Sequence, residues 1–262
     1  HQEVLDAGGL QRFEPLHAWT NSILRVDLST GEVRVTQTAP YVPDYLAARG
    51  LAYKIAWDEY TRPVGPFDPA NPLIVMTGAL TGSRSPYSGR TAVCAFSPQA
   101  SPYPWFTRSS IGGRFGGELK RAGYDALIVT GTSEKPVYLW VKDGECEIRD
   151  ASNVWGKTTK DTQALIREEL GEPRAEMTMI GPGGENMVQY ACVMNGLKDA
   201  AGRSGMGAVM GSKKLKAVVS LGTENVEGAD PDTIREMART VCRSTPQPPN
   251  CKEHSWDFCL EV

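Results

Sequence analysis

Residues Ala200–Lys213, AAGRSGMGAVMGSK, set a guanidinium among glycines directly ahead of a helix-like run. Such a stretch is built to hold an anion. The bare backbone at Gly202, Gly205 and Gly207 can enter positive φ and approach a ligand closely, which a Cβ makes costly. Exposed N–H groups at a helix start then meet phosphate oxygens. Gly112–Lys120, GGRFGGELK, repeats the arrangement, with Gly112 and Gly113 ahead of Arg114. Arg90, Arg114 and Arg203 each close a glycine-rich loop, where a guanidinium can grip phosphate through two parallel bonds. A lone arginine is better explained by a structural salt bridge or a solvated surface position, but three in equivalent settings predict that at least two touch one ligand. Ser204 reads as a further anion donor. Two such loops predict a ligand with two anionic ends.

Other chemistries fit less well. The three histidines, His1, His17 and His254, lie away in sequence from the glycine-rich loops, so neither a histidine-based triad nor a histidine metal site is supported. Gly202-Arg203-Ser204-Gly205-Met206 resembles a nucleophile elbow, but Met206 stands where that motif needs its closing glycine. Gly205-Met206-Gly207 followed by Gly211 resembles a dinucleotide loop without the strand that should precede it. Glu118, Asp125 and Glu185 could act as acids or bases, although helix capping or surface pairing explains Glu118 and Asp125 equally well; no catalytic residue is assigned. The six cysteines contain no Cys-x-x-Cys pair, against a zinc ribbon or a disulfide scaffold. Cys94 and Cys192, inside TAVCAF and YACVM, read as buried thiols. Cys242, Cys251 and Cys259 crowd toward the end at spacings that match no tight iron–sulfur pattern.

The elements around these loops are readable. Ile23–Leu28 and Val33–Gln37 form a hairpin about Gly31, and Lys142-Asp143-Gly144 joins Val137–Val141 to Glu145–Arg149 as a second. Tyr41–Tyr60 has helical spacing interrupted at Arg49-Gly50, predicting two short helices or one broken one. Leu73–Thr77 and Thr91–Phe96 read as buried strands, and Asp161–Leu170 as an amphipathic helix. Aligned without gaps, Gly113–Gly131 and Ser204–Gly222 share Gly116 with Gly207, Ala126 with Ala217 and Gly131 with Gly222. Each is preceded by strand, glycine loop and strand, which predicts a duplicated unit related by an approximate two-fold. Identical strand orders in the two halves are required; different orders would refute it.

With 262 residues, a net charge of -3 and 40% apolar residues, the chain can bury a large core and offers no basic footprint for nucleic acid. No apolar run reaches the roughly 20 residues of a membrane helix, and the opening residues lack a signal-peptide pattern, so a cytoplasmic protein is expected. After Gly222 the texture turns polar. A domain boundary is placed near residue 225, separating 1–224 from 225–262, with a helix starting at Pro231 behind an Asp230 cap.

SILRVDLSTGEV, GALTGSRSPYSGR, GGRFGGELKRAGYDALIVTG, EIRDASNVWGK, IGPGGENMVQYACVMN and AAGRSGMGAVMGSKKLKAV, over about three quarters of the chain, resemble the amino-terminal domain of the tungsten- or molybdenum-dependent aldehyde ferredoxin oxidoreductase family. The resemblance implies an α+β fold: two β-sheets related by a pseudo-two-fold axis, with short helices, forming the base for a bis-pterin cofactor. It implies that Arg90 bonds to the pterin cofactor. Backbone carbonyls of Ser110 and Ala200 would reach a magnesium ion between the two pterin phosphates, with Gly112 and Arg203 lining the cradle. Gly113, Arg114, Ser204 and Gly205 complete the expected cofactor-binding set. Asp199 stands where relatives often have arginine and brings a negative charge to that corner. The 4Fe-4S cluster ligands and the acid/base residues are expected outside this chain, in further domains or a partner chain. Ferredoxin or an electron-transfer subunit is the implied electron acceptor, and an oligomer is expected. Two alternatives stay open: a reductase of the same superfamily acting, for example, on an aromatic thioester, and a cofactor-binding or assembly subunit without turnover.

Overall fold

The computed structural model describes residues 17–244 apart from 43, 47 and 84. His1, His254, Cys251 and Cys259 lie outside the described residues, as does the side chain of Cys242.

The first half opens on the hairpin of β1 (Ile23–Asp27) and β2 (Glu32–Thr36). Gly31, at φ +76°, makes its turn. A single helix α1 (Ala48–Glu59) follows; Arg49 and Gly50 fall in its first turn and do not break it. Then come β3 (Leu73–Met76), β4 (Thr91–Phe96), β5 (Phe106–Ile111), α2 (Phe115–Arg121) and β6 (Ala126–Thr130). The second half opens on β7 (Val137–Lys142) and β8 (Glu145–Asp150), joined through Asp143 and Gly144, both at positive φ, the conformation that a two-residue primed turn requires. Helix α3 (Thr159–Leu170) is capped by Thr158, whose side chain accepts from the Asp161 N–H, and stopped by Gly171 in the left-handed region. After it come β9 (Glu176–Met179), α4 (Pro182–Glu185), β10 (Val193–Asn195), β11 (Asp199–Ala201), α5 (Met206–Ser212) and β12 (Leu215–Leu221). Helix α6 (Pro231–Ser244) starts at the expected place, with the Asp230 carboxylate accepting from the Thr233 N–H at 3.0 Å.

The strands form two six-stranded sheets, β2-β1-β6-β3-β4-β5 and β8-β7-β12-β9-β10-β11. The two orders correspond strand for strand. In each, the first hairpin strand runs parallel to the last strand of its half, and all other pairs are antiparallel. The match extends to register: Ala126 pairs with Met76, and its aligned partner Ala217 pairs with Met179. Duplication therefore holds at the level of topology.

Strand side chains alternate between two apolar environments. Leu24, Val75, Val93, Leu127 and Val129 of one sheet share an inner core with Val137, Leu139 and Val218 of the other, together with Phe115, Leu119, Val209 and Met210 of α2 and α5. The opposite faces pack against α1 through Leu51 and Ile55 and around Ile166 of α3. Both faces of each sheet are thus covered over the central strands, which is why several of these are apolar without alternation, while β2 stays exposed. Helix α2 packs on β12 and β9 of the other sheet, and α5 on β3 and β4 as well as on its own β10 and β12.

Two aligned glycine pairs acquire separate reasons. A Cβ on Gly116 would run into Thr91 at the start of β4, and one on Gly207 would lie 2.5 Å from the carbonyl oxygen of Cys192 just before β10. Both let a connecting helix touch the fourth strand of its own half. Gly222 faces the backbone of Arg121 and Ala122, whereas Gly131 sits at φ +74° against Asp27 and Ser29.

Candidate functional site

Strands β5 and β11 are edge strands of their sheets and lie beside each other. Each runs into a loop that leads to a connecting helix, and the aligned residues Gly113 (φ +86°) and Ser204 (φ +65°) both turn the chain through the left-handed region. A seam forms where the two loops meet. The Asn195 side-chain amide donates to the Gly112 carbonyl at 2.6 Å, the Arg203 N–H donates to Ser109 Oγ at 3.2 Å, and Ser204 Oγ donates to the Arg108 carbonyl at 3.3 Å. Ser97 Oγ reaches the Ser204 carbonyl at 2.9 Å. A Cβ on Gly112 would lie 2.6 Å from Asp199 Oδ1, and one on Gly89 would lie 3.4 Å from the Gly113 carbonyl oxygen. The loop ending at Arg90 therefore joins the same seam.

The structure brings together Arg90, Ser110, Gly112, Gly113, Arg114, Ala200, Arg203 and Ser204. Arg90, Arg114 and Arg203 are exposed, and among the described residues none of these guanidiniums has an ion-pair or hydrogen-bond partner. Arg108 supplies a fourth, resting on Ser110 Oγ at 2.9 Å. Asp199 is half-buried beside Gly112 and Gly113. Two expectations change. Gly205 is buried, packed against Gln189 and Pro98, so it lets the loop turn beneath the rim and does not line it. The N-terminus of α5 is not open either: the Gly207 N–H donates to the Ala191 carbonyl and the Ala208 N–H to the Gly205 carbonyl, both at 3.0 Å. An anion at this seam would instead meet the guanidiniums and the loop ahead of the helix.

The three carboxylates are occupied structurally. Glu118 accepts from the Gly222 N–H at 3.1 Å. Asp125 pairs with Lys120 at 3.0 Å, both side chains fully buried. Glu185 pairs with the buried Lys216 and accepts from the Gly156 N–H at 2.8 Å. Burial pushes the Cys94 thiol up to about 12, in line with an unreactive core residue. Cys192 differs from expectation, lying just ahead of β10 and only half-buried. Burial raises the Glu176 carboxyl, with Arg167 and Arg114 pulling the other way. Asn195, Ser109 and Ser97 were missed from sequence. Asn195 alone carried a signal, as the polar residue ending an apolar strand.

Among the described residues no three His, Cys, Asp or Glu side chains gather as metal ligands. A cation at the seam would thus depend on backbone carbonyls and on the ligand's own oxygens, and the uncovered guanidiniums and side-chain-free glycines fit a phosphate-bearing group. No helix of the described residues is long and apolar enough to cross a membrane.

Two mixed six-stranded sheets with short helices, meeting at a glycine- and arginine-lined seam, define an α+β domain. Residues 23–222 match the family model of the aldehyde ferredoxin oxidoreductase N-terminal domain, and the chain belongs to that family. It is 47% identical over 217 residues to a tungsten-containing aldehyde ferredoxin oxidoreductase of Thermococcus kodakarensis, covering 82% of this chain and 35% of that protein. An aliphatic sulfonate oxidoreductase WOR-like subunit of Pyrococcus furiosus is 36% identical, with 79% and 35% covered. Among solved structures, the active-site complex BamBC of benzoyl coenzyme A reductase, with 1,5-dienoyl-CoA bound, matches with a TM-score of 0.79 at 40% identity, over 86% of this chain and 33% of that one. The chain thus spans about a third of the length of these relatives.

Proposed function

We propose that the seam is the phosphate cradle for a tungsten bis-pterin cofactor in an aldehyde-oxidising enzyme. The observation that carries this reading is that three loops, each bearing an exposed arginine with no ion pair or hydrogen bond, meet at one glycine-lined seam between two copies of a fold. Arg90 would bond to the pterin, while Arg114 and Arg203 would neutralise phosphate charge. Gly112 and Gly113 would leave room for close backbone approach, and Ser204 would add a hydroxyl donor. Backbone carbonyls of Ser110 and Ala200 would hold a magnesium ion between the phosphates. When bound, the cofactor supplies the two-electron chemistry that turns an aldehyde and water into a carboxylic acid. This domain binds and orients it.

The tungsten-containing relatives favour tungsten over molybdenum. Acid/base residues and the ligands of a 4Fe-4S cluster would lie beyond this domain, in further domains or a partner chain, and the region from about residue 225 would lead toward them. Ferredoxin or an electron-transfer subunit would take the electrons, in a cytoplasmic oligomer. A second reading is favoured by the likeness to BamBC and to the sulfonate oxidoreductase subunit: the same cradle serving another substrate, since this base does not choose it. Purification from a host that makes tungsten bis-pterin tests the cradle, because a folded protein free of tungsten and pterin would overturn it. Turnover of aldehydes against that of aromatic thioesters separates the two readings.

A further inference from the structure

Lys120 has no part in the seam surface, yet its ammonium sits between two of the arginine loops. Its side chain is fully buried, six residues along from Arg114, which stands at the start of α2. It donates to the Gly78 carbonyl at 3.0 Å and reaches the Ala79 carbonyl at 3.5 Å, at the start of the loop that ends in Arg90. The Asp125 carboxylate balances it at 3.0 Å, and the Trp19 ring covers it with its centroid 4.4 Å away. Asp125 is fixed in turn by Thr38 Oγ1 at 2.7 Å and the Thr20 N–H at 3.0 Å. The same loop packs on α2 through Gly82, whose Cβ would lie 3.2 Å from Lys120 Cβ and 3.3 Å from the Gly117 carbonyl oxygen. Within the loop Thr81 Oγ1 bonds the Ser88 carbonyl at 2.8 Å, two residues before Arg90.

We infer that Lys120 is a positioning residue of the cradle: its buried ammonium locks the Gly78–Arg90 loop to the helix that carries Arg114, holding Arg90 at the seam. A buried lysine paired and bonded in this way fixes geometry, because each donor it loses leaves a carbonyl unsatisfied. A ligand gripped by preset guanidiniums is bound without the cost of ordering the loop. The inference rests on the phosphate-cradle reading.

The test is a double-mutant cycle read by titrating magnesium pyrophosphate into the protein. Lys120→Met should weaken binding roughly 10-fold or more, as loss of a residue that orients a binding group does. Combined with Arg90→Ala it should add little, whereas its effect should add fully to that of Arg203→Ala, whose loop is held by Ser109 instead. Additivity with both arginines, or unchanged binding by Lys120→Met, would overturn the inference. If Lys120→Met fails to fold, Gly82→Ala, which wedges the loop off α2 with the ammonium intact, replaces it in the same cycle. Failure of the unsubstituted protein to bind pyrophosphate would count against the cradle itself.

Discussion

Asn195 of the second copy donates its side-chain amide to the carbonyl of Gly112 in the first, at 2.6 Å and with only 4% of Asn195 exposed. That bond ties the end of β10, next to the edge strand of the second sheet, to the loop that leaves β5, the edge strand of the first. Asn195→Leu should leave the Gly112 carbonyl without its donor and lower stability by about 1–3 kcal/mol in denaturant unfolding. Pyrophosphate affinity should fall with it; unchanged stability would show that the seam is held elsewhere.

The rim arginines should behave in the opposite way. Arg90, Arg114 and Arg203 are exposed and unpaired, so alanine at each should change stability by no more than about 0.5 kcal/mol. Each should nevertheless weaken phosphate binding by about 1.5–3 kcal/mol and flatten its salt dependence. Equal binding by all three variants would remove the cradle.

Gly222→Ala and Gly183→Ala form a matched pair. A methyl at Gly222 would enter the backbone of Arg121 and Ala122, while one at Gly183 meets nothing within 4 Å. The first should cost about 3 kcal/mol in thermal or chemical unfolding, and the second should be neutral or slightly stabilising. Similar melting temperatures for the two would contradict the packing of α2 on the second sheet.

Lys213 makes a pH-dependent prediction. Its ammonium is fully buried, bonded to the carbonyls of Pro69 at 3.0 Å and Gly131 at 3.3 Å, and burial holds its pKa down to about 8, with Asp27 and Asp68 pulling it upward. Between about 8 and the ordinary lysine value the unfolded chain binds more protons than the folded one, so this residue makes stability rise with pH across that window. Burial raises the thiols of Cys94 and Cys146, which pull the other way at high pH. The informative quantity is thus the difference between the protein and Lys213→Met. That difference should grow in favour of the unsubstituted protein by up to roughly 3 kcal/mol from pH 8 to 10.5; a difference flat in pH would mean that the Lys213 ammonium keeps its ordinary pKa in the fold.

The hairpins, the buried strands and the duplication could be read from residue order, because each rests on local rules: Gly31 and Asp143-Gly144 at turns, and glycine pairs at equal spacing. The resemblance likewise located the seam. What could not be read was which sheet each helix covers. Gly222 ends an apolar strand and looks like an ordinary turn glycine; only the fold shows Arg121 and Ala122 against it. The direction of α5 was hidden for a similar reason, since its glycines suit an open helix start and a tight internal contact equally well, and Ala191 and Cys192 decide between them. Lys120 and Asp125 were separately visible, but their pairing depends on a buried site that spacing does not reveal.

Because α2 lies on the sheet of the other half and α5 on both, the chain is in effect a dimer of half-domains joined by the short connection at 131–136. Neither half can close its inner layer alone. Cut within that connection and produced as two fragments, the halves should stay unfolded apart and regain one cooperative unfolding transition when mixed. The arginine seam would then exist only in the reassembled pair, so occupancy of the cradle would report that the two fragments have met.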